Sequence, residues 1–111
     1  MLKESEFINL ADRVIKDIWD VIETQDKDCI LDMDFAGEIL NIVTPKGQYV
    51  INRHTAAREI WLASPISGPK HFAYNINEKN WVSKSGENLV KILQQELRNF
   101  ISNLNLEDII K

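Results

Sequence analysis

Acidic side chains crowd the first 34 residues of this 111-residue chain and are the groups best suited to chemistry. The segment carries ten acids against four bases, a local charge of −6, whereas the rest of the −4 chain sums to +2. Carboxylate oxygens suit hard cations, so the sequence predicts a cation-binding surface, the acidic ridge. Its candidate ligands are Asp12, Asp17, Asp20, Glu23, Asp26, Asp28, Asp32 and Asp34.

The spacing of these acids predicts weak metal binding. Asp17, Asp20 and Glu23 recur one helical turn apart, and the later acids continue the surface through a loop and along a strand. The sequence lacks the paired Glu-x-x-His motifs of buried di-iron bundles, so binding is expected to be labile and poorly selective against calcium or manganese. The alternative is that the acids only keep the protein soluble, partnered by neighbours such as Arg13 and Lys16.

A second candidate surface, the docking face, is built around Trp61. In the predicted strand over residues 59–63, Ile60 and Leu62 share one face and Trp61 points to the other. If the aliphatic pair faces the core, Trp61 faces water, where an aromatic is a typical interface anchor. The alternative is a core tryptophan in a strand of inverted register. The residues predicted to share the docking face with Trp61 are Asn52, His54, Glu59 and His71.

Hydrophobic periodicity predicts the elements that must position these side chains. Apolar residues at three- and four-residue spacing predict a first helix over residues 5–24 with Ser5 as N-cap, and a second over residues 86–103 with Ser85 as N-cap. After the first helix, alternation predicts a strand over residues 29–35. The buried face of this strand is predicted to carry Cys29, Leu31, Met33 and Phe35.

Further β-rich runs, separated by short turn-forming segments, indicate consecutive antiparallel strands. They cover residues 38–44, 48–53, 59–63, 71–75 and 81–84. The expected fold class is α+β, a two-layer sandwich with both helices on one face of an antiparallel sheet of about five to six strands. Trp81 is expected in the core. The apolar residues beyond the second helix either pack between the helices or fray; they are Leu106, Ile109 and Ile110.

Length and composition narrow the class of protein. With 44% hydrophobic residues, residues 1–111 are expected to form a single domain. The net charge of −4 disfavours nucleic acids and favours cations or basic proteins as partners. Cys29 is the only cysteine, so no internal disulfide can form. Because no apolar run approaches the ~20 residues that cross a bilayer and no secretory signal is visible, we expect a cytoplasmic protein without membrane contact.

The order of elements and several short motifs resemble those of the frataxins, in particular the bacterial type called CyaY, over nearly the whole chain. The motifs are Ser5-Glu6-Phe7 with Leu10-Ala11-Asp12, Ile51-Asn52-Arg53, Ile60-Trp61-Leu62-Ala63-Ser64, Ser67-Gly68-Pro69 with His71-Phe72, and Trp81 before Ser85-Gly86-Glu87. The resemblance implies an iron-binding protein, with Fe²⁺ or Fe³⁺ held weakly and no permanent cofactor. It also implies a role in iron–sulfur cluster assembly through docking to a cysteine desulfurase and its scaffold protein.

The resemblance leaves alternatives to this non-enzymatic function. One is a ferroxidase that oxidises Fe²⁺, although such a site needs preorganised ligands. Another is an acidic adaptor that uses no metal. The expected protein is a monomer without metal, with iron-induced oligomers as an open alternative. This chain also departs from many relatives, because Trp19 and Ile30 stand where an acid is expected and His54 stands where glutamine is common.

Overall fold

The structure, a computed structural model, describes residues 2–110, without the side chain of Ile110. The helices are α1 (Glu4–Gln25), α2 (Leu89–Leu97) and α3 (Glu107–Ile110), and the strands are β1 (Asp32–Ala36), β2 (Ile39–Thr44), β3 (Gly47–His54), β4 (Glu59–Ser64), β5 (Gly68–Asn75) and β6 (Asn80–Val82). Each strand pairs antiparallel with the next along the chain, in the order β1 to β6. The two-layer α+β sandwich is confirmed, with six strands.

Helix α1 forms because its apolar residues fall on one stripe that the sheet can bury. The buried members are Phe7, Ala11, Val14, Ile15, Ile18 and Ile22. The helix begins one residue earlier than predicted, and the prediction of Ser5 as N-cap is wrong. Lys3 occupies the N-cap position, and its backbone N–H donates to Glu6 Oε1 at 3.2 Å. A carboxylate three residues after the cap satisfies one of the helix's unpaired donors.

Strand β1 is shorter at its start than the alternating pattern predicts. Cys29 adopts φ +52° and is exposed, so it does not share the buried face, whereas Leu31 is buried. The carboxylate of Asp26 accepts backbone N–H bonds from Ile30 at 2.9 Å and Leu31 at 2.8 Å. These bonds fold residues 26–31 into a turn, which delays the strand until Asp32.

The second predicted helix is also shorter, and its N-cap is Asn88 rather than Ser85. Asn88 Oδ1 accepts from the N–H groups of Val90 at 3.0 Å and Lys91 at 3.1 Å. Asn88 also forms a β-bridge with Val82, so residues 83–87 form a turn between the two and not the start of the helix. The chain leaves the helix after Leu97, and Arg98 Nε then donates to the carbonyl of Leu104 at 2.7 Å.

The apolar C-terminal segment packs onto the core. Leu104 and Leu106 are completely buried, and Ile109 is partly buried against the same core. Gln94 holds the segment in place, because its Oε1 accepts from the Leu106 N–H at 2.7 Å. Trp81 is buried as predicted, at 3% exposure. No helix within residues 2–110 is long and apolar enough to cross a membrane.

Gly47 marks a place where the backbone tolerates no side chain. It has φ +133°, and a Cβ built there would lie 2.7 Å from Cβ of Pro65 in the β4–β5 turn. We expect Gly47→Ala to lower the free energy of unfolding by about 2 kcal/mol, through backbone strain and this overlap. Chemical denaturation measures the change in the free energy of unfolding.

Gly37→Ala is the matched control, since Gly37 has φ +62° but no atom within 4 Å of its Cβ position. An equal loss in both variants would mean that the Pro65 contact is unimportant.

Candidate functional site

The helical acids of the acidic ridge lie on different flanks of α1. Asp12 and Glu23 are 11 residues apart, about three helical turns, so they share one flank. Trp19 lies on the same flank, and its ring packs against Phe35 of β1 with centroids 5.9 Å apart. This flank of α1 therefore borders the edge strand β1, whose residues Asp32 and Asp34 are exposed.

Asp17 lies on the opposite flank. It lines a groove of about 260 Å³ between α1, β6 and α2, together with Arg13 and Lys79. Asp20 lies on the exposed side of α1 and forms an ion pair with Lys16 at 2.8 Å, as the spacing predicts. This hydrogen bond, together with the attraction of the same carboxylate, raises the pKa of Lys16. The helical acids are thus distributed around the helix rather than aligned.

Asp12 is already engaged with the sheet. Both of its oxygens accept from Nη1 of Arg53 at 2.8 Å, and Nη2 of Arg53 donates to Glu38 Oε2 at 2.7 Å. Arg53 thereby joins α1 to the end of β3 and to the β1–β2 turn. No local sequence pattern predicts this role of Arg53, because Arg53 and Asp12 are 41 positions apart in the chain.

Asp26 does not belong to an exposed ridge. It is only 8% exposed, and its two oxygens accept the backbone N–H groups of Ile30 and Leu31. The expectation of a surface carboxylate is therefore corrected. A carboxylate satisfied in this way supports the loop rather than presenting free lone pairs to a cation.

The remaining acids form the exposed part of the acidic ridge. Within residues 2–110, the carboxylates of Glu23, Asp28, Asp32 and Asp34 form no hydrogen bond or ion pair with a described side chain. They extend from the last turns of α1 through the loop to β1. No three His, Cys, Asp or Glu side chains of the described chain already converge on one point. A cation must draw these flexible carboxylates together, which costs side-chain entropy and lowers affinity.

The docking face forms on the side of the sheet that the helices leave open. Ile60 and Leu62 are buried, and Trp61 points to the open side, so the predicted strand face is confirmed. The indole lies between two imidazoles. Its ring centroid is 3.9 Å from that of His54, with planes 7° apart, and 4.3 Å from that of His71, with planes 8° apart.

Hydrogen bonds and strand register complete the docking face. The indole Nε1–H of Trp61 donates to Glu59 Oε1 at 3.0 Å, and the same oxygen is 3.8 Å from Nδ1 of His71. Asn52 lies directly opposite Trp61 in the β3–β4 pairing. The structure thus brings together all five residues that the sequence predicts for this surface.

The docking face and the strand acids share one face of the sheet. Asp34 pairs with Asn41, Asn41 with Val50 and Val50 with Ala63, which lies two residues after Trp61 on the same side. Directly paired residues of neighbouring strands point to the same face. Three strand spacings of about 4.8 Å and an offset of two residues along the strand place Asp34 roughly 16 Å from Trp61. One partner can therefore contact both surfaces.

A hydroxyl network that no sequence pattern predicts fixes the other end of β4. Glu96 of α2 accepts hydrogen bonds from Tyr49 Oη at 2.9 Å, Ser64 Oγ at 2.6 Å and Ser67 Oγ at 2.6 Å. Burial, followed by the hydrogen bond to Glu96, raises the pKa of Tyr49 well above its usual range. The network ties α2 to the strand that carries Trp61.

The raised pKa of Tyr49 predicts a loss of stability in alkali. An unfolded tyrosine ionises near pH 10, whereas the folded protein keeps this proton to higher pH. The unfolded state then binds fewer protons, so the free energy of unfolding falls as the pH rises above about 10.

Urea denaturation at pH 8 and pH 10.5 tests this loss of stability. Tyr49→Phe should lose less stability between these pH values than the wild type, and an identical loss would contradict the assignment. Tyr74→Phe controls for the removal of a phenol elsewhere.

Comparison with known proteins matches residues 1–103 to the family model of the frataxin-like domain. The chain is 35% identical over 99 residues to a mitochondrial frataxin homolog of Schizosaccharomyces pombe, covering 81% of this chain and 63% of that protein. It is 34% identical over 104 residues to mitochondrial frataxin of Arabidopsis thaliana, covering 89% and 56%. The chain therefore spans less than two thirds of the length of these relatives.

Solved structures show the same likeness. The fold is similar to frataxin from Psychromonas ingrahamii, of the CyaY protein family, with a TM-score of 0.76 and 27% identity over 88% of this chain and 90% of that one. It is also similar to trimeric frataxin from the yeast Saccharomyces cerevisiae, with a TM-score of 0.73 and 34% identity over 85% and 80% of the two chains. A trimeric yeast frataxin complexed with ferrous iron matches with a TM-score of 0.68 and 31% identity, over 93% and 89%.

Proposed function

The chain belongs to the frataxin family, and from that premise we propose that it is an iron-binding protein of iron–sulfur cluster assembly. It binds Fe²⁺ weakly on the exposed part of the acidic ridge and docks to a cysteine desulfurase and its scaffold protein. In that complex it acts as an iron donor or sensor and regulates the desulfurase. The observation that carries the proposal is the placement of unpaired carboxylates and an anchored tryptophan on one sheet face.

Carboxylate chemistry supports the iron-binding part of the proposal. Glu23, Asp28, Asp32 and Asp34 offer hard oxygen donors on a surface that a hydrated cation can reach. The yeast relative complexed with ferrous iron supports the choice of metal. Because these side chains must converge around the ion, exchange is expected to be fast, as an iron donor or sensor requires.

The docking part rests on charge and on Trp61. The acidic ridge attracts a basic surface and accelerates association, and the half-buried indole provides apolar area. Asp32 and Asp34 of β1 and the indole of β4 lie on one face of the sheet, so one partner surface can bind both.

We propose a binding protein rather than an enzyme. A ferroxidase holds iron with preorganised ligands, whereas the acids of the exposed ridge lie on a helix end, a loop and an edge strand. Ferroxidase activity is the second candidate, and it is favoured only if iron binds tightly and is oxidised faster than free Fe²⁺. A metal-independent acidic adaptor is the third.

The assignment to the bacterial CyaY type, the cytoplasmic location and a monomeric state without metal are parts of the same proposal. The Psychromonas ingrahamii relative supports the CyaY type. The trimeric yeast relative complexed with ferrous iron supports an oligomer that forms when iron is present. Sedimentation of the protein with and without Fe²⁺ tests the oligomeric state.

An anaerobic Fe²⁺ titration of ¹⁵N-labelled protein tests the iron site. Amide signals between residues 23 and 34 should broaden first, since the unpaired carboxylates lie there, while signals of His54 and Trp61 should persist. Calcium should displace iron from the same residues, as weak selectivity predicts. An Asp28→Asn, Asp34→Asn double variant should abolish the localised broadening. Uniform or absent broadening would leave only the metal-independent adaptor.

A further inference from the structure

Three aromatic rings stand in a column on the docking face, one from each of three neighbouring strands. His54 comes from β3, Trp61 from β4 and His71 from β5. Both faces of the indole are covered by nearly parallel imidazoles, at 3.9 Å and 4.3 Å. The indole therefore presents its edge, and neither of its faces, to a partner. The stack thus offers a partner the edge of the indole and not a flat aromatic surface.

Further contacts fix each ring of the column. The Trp61 Nε1–H donates to Glu59 Oε1, and this hydrogen bond opposes rotation of the indole about its side-chain bonds. His54 Nδ1 accepts from the backbone N–H of Ala57 at 3.3 Å, so the β3–β4 turn holds this imidazole. His71 lies directly opposite Trp61 in the β4–β5 pairing and has the Glu59 carboxylate at 3.8 Å. Trp61 is therefore held in one orientation, although it lies on the open face of the sheet.

We propose that His54 and His71 are positioning residues that hold Trp61 edge-on for docking, an inference that rests on the proposed function of the docking face. A side chain that is already ordered loses less conformational entropy on binding, so affinity increases without a new contact. The partner must have a narrow apolar groove that accommodates the exposed edge of the indole. Ligands that stack on ring faces, such as nucleobases, find both faces of Trp61 occupied.

Variants of His54 separate ring stacking from other effects. His54→Gln removes the ring and keeps a polar side chain, whereas His54→Phe restores an aromatic face. The order of the indole is measured by ¹⁵N relaxation of the Trp61 Nε1–H signal, identified by its absence in Trp61→Phe. We expect a more mobile indole in His54→Gln and wild-type order in His54→Phe. His71→Gln should mobilise the indole in the same way.

The second measurement is affinity for the purified cysteine desulfurase with its scaffold protein. His54→Gln should weaken binding roughly two- to tenfold, the range expected for one aromatic pair, and His54→Phe should recover it. An indole that stays ordered in both glutamine variants would overturn the proposal. So would an indole that becomes mobile while affinity is unchanged. If the wild type fails to bind this complex, the proposed docking function fails, and the relaxation data still decide whether the histidines position Trp61.

Discussion

Replacing Trp61 by alanine should weaken binding to the desulfurase and its scaffold roughly 30-fold or more, while the protein stays folded. The indole lies on the open face, so its removal leaves no cavity in the core formed by residues such as Ile60 and Leu62. Stability should fall by about 2 kcal/mol, because the ring stacks on both His54 and His71. Calorimetric titration measures the affinity, and urea denaturation measures the stability.

A matched control separates the anchor from general apolar area. Val43 lies on the same open face and is 44% exposed, so Val43→Ala removes an exposed apolar side chain from another strand. It should change affinity less than threefold, as most interface residues outside a hot spot do. Equal effects of the two substitutions would show that Trp61 is one contact among many. Unchanged affinity in Trp61→Ala would remove the docking face from the proposed function.

Replacing Asp26 by alanine should lower the free energy of unfolding by about 3 kcal/mol, because two backbone N–H groups lose a charged acceptor. These groups belong to Ile30 and Leu31, and Leu31 carries its side chain into the core. The loop between α1 and β1 should loosen as a result. Chemical denaturation measures the stability, and amide hydrogen exchange at Leu31 measures the opening of the loop.

Asp28→Ala is the matched control, since Asp28 lies two residues away in the same loop and is exposed. Its effect should stay within about 0.5 kcal/mol. Asp26→Asn keeps one acceptor oxygen and should fall between the two variants. It should also leave the iron-dependent broadening of residues 28–34 in place, because Asp26 directs its oxygens to the loop. A loss of iron binding without a loss of stability would indicate that Asp26 is a ligand of the metal.

The sequence predicts those parts of the molecule whose cause is local. The alternation of Ile60 and Leu62 places Trp61 on the open face, and the helical spacing of apolar residues places α1 to within one residue at each end. Both patterns predict the structure correctly because each element buries one face against the core. The apolar residues that form this face are close together in the sequence, so their spacing identifies it.

The parts that the sequence does not predict depend on competing local signals or distant partners. Ser85 and Asn88 both suit an N-cap, and the β-bridge from Asn88 to Val82 decides between them. The alternation that predicts a strand from residue 29 continues through a turn that only the Asp26 carboxylate reveals. Arg53 and Glu96 bind residues far along the chain, which no spacing rule identifies.

The strict pairing of each strand with its successor also bears on how the protein folds. The connections between strands contain between two and four residues, so every ladder closes a short loop. Closing short loops costs little chain entropy, and contacts close in sequence favour fast folding. The sheet can therefore grow hairpin by hairpin. Helices α1 and α2 come from opposite ends of this meander, so packing both onto its apolar face joins residues far apart in the sequence and closes the longest loops of the fold.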